Sequence, residues 1–122
     1  MERFEEFTRE GKNFVYIDFS DFKMNDEFFG LIEVTKSLIA KYPEHSLYTI
    51  ANFDNVRIDS KSRELVAKCL AHNKPYVKYC VAIGLDGIKK MMLSSIFNSC
   101  GRGAMLFAFT KERAIECLLQ KD

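Results

Sequence analysis

The sequence predicts an α/β domain built on a mostly parallel sheet of four or five strands with four helices. Three observations carry that expectation. Apolar positions alternate along the chain between the period of a strand and the period of a helix, in the order β-α-β-α-β-α-β-α, which is the signature of crossover units on a shared sheet. The run Cys80–Ile83 is apolar at successive positions, as a strand covered on both faces requires. The 122 residues, 48% of them hydrophobic, suit one domain spanning 1–122 with a core that needs neither disulfide nor metal.

The charged segment 1–9 is compatible with a short antiparallel edge strand, and Gly11 behind it supplies a turn. Residues 13–19 alternate and are rich in aromatic and β-branched types, so they read as a strand. Residues 26–41 read as a helix whose stripe is Phe28, Leu31, Ile32, Thr35 and Ile39; Asn25 or Asp26 can cap it, and Tyr42-Pro43 stops it. A strand follows at 46–52. Asp59 or Ser60 can then cap a helix over 61–73, with Leu65, Val66, Cys69 and Leu70 on one face and Asn73-Lys74-Pro75 as its end. Residues 76–84 form the central strand. A third helix runs from near Gly87 to near Gly101, a strand covers 104–109, and Thr110 caps a last helix over 111–121 with Ile115, Leu118 and Leu119 inward. Crossovers between parallel strands are right-handed as a rule.

Composition bounds the function. The formal net charge is +1, which argues against a dedicated nucleic-acid binder. The charge is unevenly placed: residues 1–30 carry four Lys/Arg and eight Asp/Glu, whereas 61–122 carry eleven and five. A weakly basic patch facing an acidic partner is one consequence. Cys69, Cys80, Cys100 and Cys117 fit no zinc-binding spacing, and buried free thiols in a reducing cytoplasm follow. No signal peptide and no membrane-spanning stretch is legible, so membrane insertion is not expected. No pattern asks for a cofactor.

Three stretches resemble the STAS family, the sulphate-transporter and anti-sigma-factor-antagonist fold, and within it the small stand-alone bacterial proteins. They are Tyr16–Ser20, Asn52–Ser60, and His72–Lys78 continuing through Ile83–Lys90. The resemblance covers nearly the whole chain. It implies the STAS-like sheet and a role in regulation by binding, with no catalysis. In the anti-sigma antagonists a serine at the start of the second helix is phosphorylated, and the added negative charge abolishes docking. The family's Asp-Ser-Ser-Gly is Asp59-Ser60-Lys61-Ser62 here, which puts Lys61 at the phosphorylated position.

Candidate sites follow from these readings. The segment with Asp54, Asp59, Ser60 and Ser62 is a candidate partner-binding loop, and a phosphate on Ser60 or Ser62 would sit at free helix-start N–H groups. Gly84 and Gly87 with Lys89, Lys90 and, from another loop, Arg102 form a candidate anion site for a nucleotide-like ligand, the second reading being a small-molecule module for an anionic or lipid-like ligand. On the third helix Ile88, Met92, Ile96 and Cys100 share a side, and Leu93, Phe97 and Met91 widen the apolar arc beyond one stripe. Met91, Leu93 and Phe97 are therefore a candidate interface with a protein partner or with a second copy in a homodimer, and Phe97→Glu is expected to disrupt self-association without unfolding. Cys69 and His72 lie three apart on one helix, the spacing of a conceivable nucleophile and base. Asp18, Asp54, Asp59 and Asp86 fall at strand ends or turns, where carboxylates usually make turn and cap hydrogen bonds, a metal site built from them being the alternative.

Overall fold

The hairpin at the start is a direct product of its turn residues. Glu10 and Gly11 both have positive φ, 52° and 77°, the condition of the two-residue turn whose twist matches antiparallel strands. It joins β1 (Phe4–Arg9) to β2 (Lys12–Asp18), antiparallel, with Arg9 opposite Lys12. This is a computed structural model, and it describes residues 3–21, 26–57, 60–99 and 105–121, without the side chains of 26–28 and 60–62. The remaining elements are α1 (Asp26–Ile39), β3 (Leu47–Asn52), α2 (Ser60–Asn73), β4 (Val77–Ile83), α3 (Gly87–Ser99), β5 (Leu106–Ala108) and α4 (Lys111–Leu119).

The five strands lie in sequence order, β1-β2-β3-β4-β5, and all pairs after the first are parallel. That order decides where the helices go. Crossovers of one hand that always step in the same direction deliver their helices to the same face. Accordingly α1, α2 and α3 share a face with Val15, Ile17, Leu47, Ala51, Cys80 and Ala82 of the sheet. Helix α4 follows the last strand, crosses back to no neighbour, and covers the opposite face over Phe14, Tyr48, Ile50, Val81 and Ile83. Both faces of β3 and β4 are thus buried, which accounts for the unbroken apolar run at 80–83.

Local patterns agree with this packing. Leu31, Ile32, Thr35 and Ile39 of α1 are all buried, and the Thr35 hydroxyl donates to the Leu31 carbonyl at 2.7 Å, so its polar atom is satisfied within the helix. A register shift between Leu47 and Tyr48 leaves Lys78 outside the ladder; Val77 and Tyr79 consequently pack on opposite faces although they are two apart. Thr110 has extended backbone, and its hydroxyl oxygen accepts the Arg113 N–H at 3.1 Å, the cap expected from the sequence. Lys12 Nζ donates to the Leu119 carbonyl at 3.2 Å, placing a cation at the negative end of α4.

The two sheet edges differ in chemistry. Strand β1 exposes Glu5, Glu6, Thr8 and Arg9. It is tied down by Lys111 to Glu5, and by the Tyr42 hydroxyl to Glu6. Strand β5 has three residues, Leu106, Phe107 and Ala108, all apolar and half-buried. Its flanks diverge: the connection from β4 leaves to α3 on one face, and the connection from β5 leaves to α4 on the other. In open α/β sheets such a divergence at the carboxyl ends of strands is where ligands find a crevice.

Candidate interaction site

Helix α3 turns a different side to the core from the one expected. Leu93, Ile96 and Phe97 are 0%, 2% and 3% exposed, whereas Ile88 and Met91 are each 75% exposed. Leu93 and Phe97 are therefore corrected from interface to core. The reason is helical phase: Leu93, Ile96 and Phe97 sit at i, i+3 and i+4, a complete sheet-facing stripe, and Met91 lies on the far side of the helix from them. Of the three expected interface residues only Met91 faces outward. The expectation that Phe97→Glu would spare the fold falls with it, since that carboxylate would enter the core.

The outward apolar surface extends to β5. Phe109, one residue beyond the strand, is 89% exposed. Lys90 on α3 reaches across, with Nζ 5.5 Å from the centre of the Phe107 ring and 5.7 Å from that of Phe109. Arg113 and Cys117 of α4 complete a depression of about 230 Å³ with Lys90, Phe107, Ala108 and Phe109. A second, shallower depression shares Lys90 and continues along α3 past Met91, Ser94, Ser95 and Asn98. Neither is lined by a carboxylate. Among the described residues neither Lys90 nor Arg113 forms an ion pair. The sequence signal for Phe109 and Arg113 was weak: an aromatic residue directly before a helix cap, and one basic residue in an ordinary first turn.

The glycine-rich turn after β4 is shaped by packing. Gly84 has φ 80°, and a Cβ built there would stand 2.6 Å from the Asp54 nitrogen. The glycine lets the β3–α2 and β4–α3 loops touch. Asp86 Oδ1 accepts the Lys89 N–H at 3.1 Å, so a carboxylate already occupies the start of α3, near Gly87, where an anion would bind. Lys90 points away from that turn, toward the Phe107 and Phe109 rings. Arg102 lies outside the described residues.

Asp54 is exposed and joins the loops at the carboxyl ends of the strands: its carbonyl accepts the Asp21 N–H at 2.9 Å, and Asn55 Nδ2 donates to Asp21 Oδ1 at 2.9 Å. Asp21 and Asn55 both have positive φ, 66° and 57°, which short polar side chains tolerate best. Ser60 and Ser62 fall in the first turn of α2, with side chains outside the described residues, as is Asp59 altogether. Asp18 accepts the Ser20 N–H at 2.9 Å and faces Arg3 at 3.8 Å. Asp18 and Asp86 thus make the turn and cap hydrogen bonds expected of them. Among the described residues no three His, Cys, Asp or Glu side chains converge on a metal-sized site.

Cys69 and His72 do not meet as nucleophile and base. Asn73 stands between them, donating to Cys69 Sγ at 3.5 Å and accepting from His72 Nδ1 at 2.9 Å. Cys69 and Cys80 are buried, and Cys117 is half-buried. Both buried thiols line an apolar cavity of about 40 Å³ between the sheet and α1–α3, together with Thr49, Phe53 and Asn73. An apolar cavity must reach roughly 150 Å³ to take benzene, so a lipid-like chain has no room there. No helix among the described residues is long and apolar enough to cross a membrane. In sequence the chain matches no protein-family model and no curated protein.

Proposed function

We propose that the chain is a non-enzymatic interaction module of the STAS type, which docks a protein partner through the outward side of α3 and the adjoining end of β5. One observation carries the reading: Ile88, Met91 and Phe109 are the most exposed large apolar side chains among the described residues, and Lys90 links α3 to the aromatic residues of β5. Exposed apolar surface rimmed by polar groups marks interaction sites on soluble proteins. Methionine at such a surface adapts to its partner's shape. Four side chains with functional groups suited to chemistry are held in local hydrogen bonds, Cys69 and His72 by Asn73, Asp18 and Asp86 by turn N–H groups. The mostly parallel five-stranded sheet with four helices is the architecture that the STAS resemblance implies.

The test is a photo-crosslinking amino acid placed at Met91, and in a second protein at Lys74, an exposed position just after α2, both used in extract of the native cell. A defined protein adduct from position 91 and none from 74 supports the reading. Equal labelling from both positions, or none from either, removes it. A second copy as the partner would appear as an adduct of twice the chain mass.

A further inference from the structure

We propose that the depression beside β5 receives an extended acidic segment of the partner, which adds to the sheet edge and sets an apolar side chain against Phe107 and Phe109. The proposal rests on the docking reading above and names the chemistry of what docks.

The two sheet edges are protected differently. An edge strand presents unpaired N–H and C=O groups, and proteins guard such edges with charges. Strand β1 is guarded in that way by Glu5, Glu6 and Arg9. Strand β5 carries no charge and continues into Phe109, which is almost fully exposed. Among the described residues it is the last strand of the sheet on that side. An extended segment laid along it would find backbone partners there, while pockets beside the strand select alternate side chains.

The charge around the depression is one-sided. Lys90 stands on one flank of the strand and Arg113 on the other, and the lining of the depression holds no carboxylate. Neither cation has an ion-pair partner among the described residues. Arginine offers carboxylates a two-pronged donor, and a lysine lying over aromatic rings keeps its ammonium group available at the rim. An incoming segment with carboxylates on both sides of an apolar residue matches this layout. A basic segment meets repulsion at both flanks.

The experiment uses the full chain and fluorescent ten-residue peptides. One alternates aspartate with valine around a central phenylalanine, a second replaces each aspartate by lysine, and a third carrier is a phosphatidylglycerol-containing vesicle. The expected result is saturable binding of the acidic peptide alone, weakened at least about tenfold by Lys90→Glu with Arg113→Glu and by added salt. Amide resonances of Leu106–Phe109 should shift with it, while the double variant keeps the wild-type circular dichroism spectrum. Equal binding of the two peptides, binding unaffected by the double variant, vesicle binding without peptide binding, or no peptide binding each overturns the proposal. A crosslinked protein partner at position 91 combined with no acidic-peptide binding overturns this inference alone. Absence of both overturns the docking reading as well.

Discussion

Gly84 and Asp54 stand so close that a Cβ on the glycine would lie 2.6 Å from the aspartate nitrogen and 2.7 Å from its Cα. The contact joins the loop after β4 to the loop after β3 through backbone, which cannot swing aside as a flexible side chain would. Gly84→Ala adds the cost of left-handed φ at a residue with a Cβ to the cost of moving that backbone. The expected destabilisation is roughly 2–4 kcal/mol by urea unfolding. Gly87→Ala is the control: beyond its own helix backbone and chain neighbours, no atom of the described residues lies within 4 Å of its Cβ position, and it should change stability by less than about 1 kcal/mol.

Helix α3 should respond oppositely on its two sides. Phe97→Ala removes a ring packed between α3 and the sheet and should cost about 3–5 kcal/mol. Phe97→Glu should leave little folded protein. Met91→Glu changes an exposed residue and should stay within about 0.5 kcal/mol of wild type. Melting curves of the three variants decide this, and a stable, folded Phe97→Glu protein would contradict the placement of that side chain in the core.

Loss of the Thr110 cap isolates the attachment of α4. Thr110→Ala leaves the Arg113 N–H without its side-chain acceptor and should destabilise by about 1 kcal/mol, with Thr110→Ser retaining most of the stability. Faster amide exchange should appear first in the opening turn of α4.

The link between Tyr42 and Glu6 predicts an alkaline effect. Burial, followed by the hydrogen bond and the negative charge of Glu6, pushes the Tyr42 hydroxyl from its usual 10.0 up to about 12. Between those values the unfolded chain has released that proton while the folded chain still holds it. The stability contributed by the pair is therefore complete below pH 10.0 and is lost as the pH rises toward about 12. Tyr42→Phe should lose less stability than wild type across that window, measured by denaturant unfolding at a series of pH values.

Much of the architecture was legible from local patterns because those patterns have local causes. The turn at Glu10-Gly11, the Thr110 cap, the α1 stripe and the doubly buried strand at 80–83 each follow from backbone preference or from hydrophobic spacing within a few residues. The order of elements along the chain, with its alternation of strand and helix, belongs to the same level.

What the local patterns left open was the phase of α3 and the identity of the exposed edge. A helix with Ile88, Met91, Met92, Leu93, Ile96 and Phe97 carries more apolar residues than one face can bury, so spacing alone admits several rotations about its axis. Only the sheet beneath it, with Met105 leading into β5, settles that Leu93, Ile96 and Phe97 turn inward and Met91 outward. The juxtaposition of Lys90, Phe109 and Arg113 is equally non-local. It exists because a sheet ordered in sequence sends α3 to one face and α4 to the other, bringing residues 19 to 23 positions apart around one open strand.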